Sequence, residues 1–139
     1  MELILHSAVY CVARLREGVE VGRWLDPGAG LSVVTRDRGQ WTVLCPRSFA
    51  TAPGRDGGIE SCSRWRCLEV AGDLDFAVTG IIAGLSGLLA GADIPVYVIS
   101  TYSTDYVLVS PRRVDEAVAV LRDGGHTVCL PPPAGLPPE

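Results

Sequence analysis

No hydrophobic run in this chain is long enough to cross a membrane. The longest, Thr79 to Ala92, covers fourteen residues between Asp75 and Asp93, whereas a spanning helix needs about 20. The opening Met1-Glu-Leu-Ile-Leu-His-Ser7 has neither the basic stretch nor the unbroken apolar core of a secretory signal. A basic stripe is also missing: 12 basic against 16 acidic residues give a net charge of −4, and the arginines are scattered, which argues against nucleic acid as a partner. The cysteines number five, an odd count without framework spacing, and this fits a reducing compartment. A cytoplasmic protein is expected.

Signatures of catalysis are absent too. There is no P-loop, no dinucleotide fingerprint and no pair of carboxylates in a recognisable catalytic context. Cys62-Ser-Arg-Trp-Arg-Cys67 has a gap seen in metal sites, but no second ligand pair matches it, so no metal site is expected. Cys129 beside His126 would need an oriented base and an oxyanion site that nothing in the sequence announces. The expectation is a non-enzymatic protein without a cofactor.

What is present is apolar material and turn chemistry. The chain has 139 residues, 47% of them hydrophobic, enough for one domain or for two small modules of about 60–70 residues each. From Arg66 the pattern reads strand (Arg66–Val70), helix (Thr79–Ala92), strands (Val96–Thr101 and Tyr106–Val109), helix, and a last strand (Thr127–Leu130). The second helix is marked by Ser110 as N-cap, Pro111 at its first position, apolar Val114, Ala117, Val118 and Leu121 on one face, and Gly124-Gly125 as its stop. The order βαββαβ is the ferredoxin-like plan. The first half looks like a thinner copy. It has a strand at Tyr10–Leu15, a short amphipathic segment at Val19–Leu25, and strands Leu31–Thr35 and Trp41–Leu44 joined through Arg36-Asp37-Arg38-Gly39-Gln40. A loop over Pro46–Ser63 carries one helical turn near Phe49. The predicted class is α+β: two tandem ferredoxin-like modules, 8–63 and 64–130, with side-by-side antiparallel sheets, followed by a disordered proline-rich tail, 131–139.

The most informative stretch is Pro95-Val-Tyr-Val-Ile-Ser-Thr-Tyr-Ser-Thr-Asp-Tyr-Val-Leu-Val109, two β-branched, aromatic-rich strands around a polar turn with one carboxylate, Asp105. In a βαββαβ chain this hairpin tip and the start of the preceding helix lie at one end of the sheet. Backbone N–H groups at Thr79, Gly80 and Ile81 suit a carboxylate, and Asp105 suits an ammonium or guanidinium; an α-amino acid carries both kinds of group. The alternatives are structural. Asp105 would cap its own turn, Thr79 would be the N-cap of a buried helix, and Tyr102 would face solvent. Within the helix, Gly80, Gly84, Gly87 and Gly91 share one arc. Each costs about 1 kcal/mol relative to alanine, which predicts a close contact there, either with a neighbouring element or, at Gly80, with a ligand.

Three segments, Trp65-Arg-Cys-Leu-Glu-Val-Ala-Gly72, Leu74-Asp-Phe-Ala-Val-Thr-Gly-Ile81 and Ile99-Ser-Thr-Tyr-Ser-Thr-Asp-Tyr-Val-Leu-Val109, resemble small bacterial proteins made of two ACT domains, and the ACT domains of the cytosolic arginine sensors of animal nutrient signalling. The similarity runs from Tyr10 to about Leu130 and is most specific in the Ser-Thr-Tyr-x-Thr-Asp-Tyr signature. The resemblance implies tandem ACT-type modules with side-by-side sheets and a regulatory amino acid or similar small molecule bound at an interface between modules; those sensors carry four such modules, so a homodimer is expected to supply the missing surface, and a regulated protein partner is expected with it. Carried over by position, it implies ligand contacts at Asp75, Phe76, Val78, Thr79, Gly80, Ile81, Thr101, Tyr102 and Asp105. The arginine sensors carry an acid where Val78 stands and a glycine where Asp75 stands, so arginine itself is not implied. The alternative is an oligomerisation module whose pocket holds no ligand.

Overall fold

The computed structural model describes residues 1–55, 57–72 and 79–131. The chain forms two units, one made of Ala8–Trp65 and the other of Met1–Ser7 together with the chain from Arg66 onward. Two long strands, β1 (Glu2–Leu15) and β4 (Ile59–Val70), contribute to both units.

In the Ala8–Trp65 unit, β2 (Val33–Asp37) and β3 (Gln40–Pro46) form a hairpin, and β3 pairs antiparallel with β1 from Tyr10↔Pro46 to Arg14↔Thr42. The hairpin turn is tighter than the five-residue loop expected. Asp37 pairs with Gln40, leaving only Arg38 and Gly39, at φ 51° and 79°. Two successive positive φ values make the turn that matches the twist of adjoining strands. The two helices of the plan are vestigial. One is a single 3-10 turn, Val21–Trp24, and the other, α1, is the four-residue Arg47–Ala50 near the helical turn expected at Phe49. Cys11, Ala13, Leu15, Trp24, Val43, Cys45 and Ala50 form the core.

The other unit holds α2 (Ile81–Gly91), β5 (Tyr97–Ser100), β6 (Asp105–Val109), α3 (Val114–Asp123) and β7 (Thr127–Cys129). β5 pairs with β6, and β6 with β4, both antiparallel. β7 does not complete the sheet on β4. It runs parallel to the first residues of β1, Glu2↔Thr127 to Ile4↔Cys129, while the N–H of Ala71 donates to the carbonyl of Glu2 at 2.9 Å. Residues 2–7, to which the sequence pattern assigned no strand, are thus an inserted fifth strand. Their alternation explains it: Leu3 and Leu5 enter the core with Leu68, Val70, Val107, Val109 and Val128 from one sheet face. Leu85 and Leu89 of α2 and Val114, Ala117, Val118 and Leu121 of α3 close that core.

The α2 glycines correct the expected close contact. Gly84, Gly87 and Gly91 are exposed, and a Cβ on any of them would meet nothing within 4 Å. The glycine that does sit at a helix–helix approach is Gly124, where a Cβ would lie 2.5 Å from Leu88 Cδ1. Among the described residues, no helix is long and apolar enough to cross a membrane. The predicted tail beyond Pro131 lies outside the described residues.

Candidate functional site

The hairpin tip between β5 and β6 is Thr101–Thr104, and one threonine side chain organises it. Thr101 Oγ1 accepts from the N–H of Ser103 and of Thr104, both at 3.3 Å, and donates to the Thr104 carbonyl at 3.1 Å. The backbone closes the same turn through Thr101 N–H to Thr104 O at 2.9 Å. Thr104, a buried polar residue, donates its hydroxyl to the Val70 carbonyl at 2.7 Å and so pins the tip to the end of β4. The turn is therefore capped by Thr101, and the alternative role for Asp105 as its own turn's cap does not hold.

Asp105 begins β6 opposite Ser100. Side chains alternate along a strand, so Asp105 shares a face with Val107 and Val109, the face on which α2 and α3 pack. The residue is half-buried, and its carboxylate has no ion pair or hydrogen-bond partner among the described residues. Tyr102 is 84% exposed at the tip.

The direction of α2 follows from its far end. Arg113, just past β6, donates to the carbonyls of Ala92 and Asp93 at 3.1 and 3.3 Å, and is itself held by Glu116 at 2.7 Å. The C-terminus of α2 thus lies by the Val109 end of β6. An eleven-residue helix and a five-residue strand both span about 16 Å, so the start of α2 lies toward the Asp105 end. Gly80, at φ 82°, is the N-cap, and its carbonyl accepts from Gly84 N–H at 2.9 Å. Thr79 is exposed and does not cap, contrary to the structural role considered for it. The helix-start amides are consequently those of Ile81, Ile82 and Ala83 rather than Thr79 and Gly80. Ile81 turns its side chain to the core. Asp75, Phe76 and Val78 lie outside the described residues.

Sequence reasoning missed the corresponding end of the Ala8–Trp65 unit. A cavity of about 610 Å³ lies between the end of β1 and the β2–β3 turn, with Arg16, Glu17, Arg38, Gln40, Trp41 and Glu60 in its wall. The signal was the charged Arg36-Asp37-Arg38 tip, read only as a turn. Of the cysteines weighed for zinc, Cys67 is fully buried, its thiol pushed up to about 12 by desolvation and then by Glu69, while Cys62 is exposed. Among the described residues no group of three or more candidate ligands is placed to hold a metal. Cys129 Sγ contacts the Glu2 carboxylate at 3.7 Å.

Residues 60–123 match the family model of the ACT domain. Over 59 residues the chain is 39% identical to the cytosolic arginine sensor for mTORC1 subunit 1 of Homo sapiens, a stretch that is 42% of this chain and 18% of that protein. The chain thus spans less than a fifth of the length of that relative. A solved structure of an Agobacterium tumefaciens protein superposes with a TM-score of 0.78 at 24% identity, covering 94% of this chain and 92% of that one. The regulatory subunit of aspartate kinase from Thermus flavus superposes at 0.53 and 11% identity, covering 88% and 95%. At such identities the superpositions speak for a shared fold.

Proposed function

We propose that this chain, which carries an ACT domain at residues 60–123, is a non-enzymatic cytoplasmic regulatory protein that binds an amino acid and assembles as a homodimer. The observation that carries the proposal is Asp105: a half-buried residue on the helix-bearing face, its carboxylate without a partner among the described residues, at the end of the sheet toward which α2 begins. A carboxylate so placed favours an ammonium or guanidinium, and the first α2 amides with the helix dipole favour the ligand's own carboxylate. Thr101 and Tyr102 hold and flank the tip; Gly80 leaves the approach to the amides without a Cβ. Asp75, Phe76, Val78, Thr79 and Ile81 complete the proposed contact set, and a second copy of the chain completes the wall. Binding then shifts how the copies dock and how a regulated partner is engaged.

Calorimetric titration with the twenty amino acids tests this. A saturable heat with one or a few of them, lost in Asp105→Ala while the circular dichroism spectrum is retained, is the expected result. Binding that is indifferent to Asp105→Ala removes the site. A second reading, assembly without a ligand, draws on the uncharged exposed α2 face of Ala83, Gly84, Gly87, Ala90 and Gly91; a dimer by sedimentation with no heat from any amino acid would favour it.

A further inference from the structure

We infer a second binding site, for a small organic or inorganic oxyanion, in the Ala8–Trp65 unit. A cavity of about 380 Å³ lies between the 3-10 turn and the loop entering β4, its wall including Gly18, Glu20, Arg23, Trp24, Arg55 and Gly58. That volume falls in the usual range for small-molecule sites, about 300–1,000 Å³. Among the described wall residues, two guanidiniums stand against one carboxylate.

Arg55 is the centre of the argument. Its Cζ stacks 3.8 Å from the Phe49 ring centroid and 5.7 Å from that of Trp24. Stacking fixes the plane of the guanidinium, so its hydrogen bonds can be made only along the edge. Among the described residues, Nε is buried without a hydrogen-bond partner and neither Arg55 nor Arg23 has an ion pair. A desolvated donor of this kind is costly unless an acceptor reaches it, and a planar guanidinium edge matches a carboxylate or phosphate two oxygens at a time. The floor is equally specific. A Cβ at Gly58 would come within 2.5 Å of Trp24 Cζ2, while Trp24 is only 3% exposed. The bare backbone at Gly58 is what lets the indole lie beneath the arginine. Gly18, Gly54 and Gly57, at φ 82°, 89° and 81°, add no side chains of their own to the wall.

The test follows Trp24 fluorescence in the full chain carrying Trp41→Phe and Trp65→Phe, titrated with inorganic phosphate and, separately, with succinate. A saturable change with either probe is expected, phosphate alone assigning a phosphate-bearing ligand and succinate a carboxylate. Arg55→Lys keeps the charge but loses the planar fork, and Arg23→Gln loses an exposed charge; each should weaken binding by about tenfold or more, the loss of a charge-assisted contact. Asp105→Ala should leave this binding intact, which separates the site from the amino-acid site. No saturable change with either probe, or affinities unmoved by both arginine variants, overturns the inference.

Discussion

Thr104→Val is the sharpest test of how the hairpin is held. Threonine and valine have nearly the same shape, so the change leaves no cavity and swaps one hydroxyl for a methyl group. Thr104 is 6% exposed and Val70, whose carbonyl accepts its hydroxyl at 2.7 Å, is 0% exposed. On burial alone the extra methyl would stabilise the fold by about 0.8 kcal/mol. Against this, a buried carbonyl deprived of its partner costs about 1–3 kcal/mol, a figure that already includes the lost hydrogen bond. The net expectation is destabilisation of about 1–2 kcal/mol, a fall in Tm of roughly 3–6 °C for a chain of this size. Thermal and urea denaturation followed by circular dichroism measure it. The sign decides: a Tm equal to or above that of the parent would show that the tip is not pinned through this bond, and the positioning of Asp105 would lose its support.

Other consequences are as direct. Gly84→Ala and Gly87→Ala face open space on an exposed helix surface, so each should stabilise the chain by about 1 kcal/mol; a lower Tm would reveal a contact on that face. Leu5→Ala strips a core side chain from the inserted strand and should cost about 2–5 kcal/mol in urea denaturation; a cost near zero would mean that residues 2–7 do not hold the sheet. His126 is held below its ordinary range by burial first and then by the positive α-amino group of Met1. The unfolded chain therefore takes up that proton first, and stability present above about pH 6.5 is lost as pH falls toward the folded pKa. His126→Gln should flatten this part of the stability–pH curve, and an unchanged slope would count against the assignment.

How far the fold was legible depended on whether local chemistry carried the information. Ser110, Pro111 and Gly124-Gly125 delimit the α3 region because capping is local; the Ser110 hydroxyl accepts from Arg112 N–H at 3.3 Å, opening a 3-10 turn that leads into the helix. The strand from Glu2 was not legible in the same way. Its Leu3 and Leu5 alternate correctly, but its partners are Thr127–Cys129 and the end of β4, far along the chain. Pairing over such separations leaves no short-range mark in the sequence.

The α2 helix shows the converse limit. Periodicity grouped its glycines on one arc correctly, but a helical projection does not say which arc is inward, and the larger side chains Leu85 and Leu89 took the interior. The glycines then faced outward by exclusion, without a contact to explain them. From the sequence, Asp105 is placed at the end of the sheet but on no particular face; the strand period would have supplied one, because Val107 and Val109, two and four residues on, are core. A charge on the core-facing side of a strand is costly unless it is paired or keeps access to solvent. The hydrogen bonds that Thr101 and Thr104 make hold the turn that leads into β6, so Asp105 stands at the first residue of that strand, on the face that carries the helices.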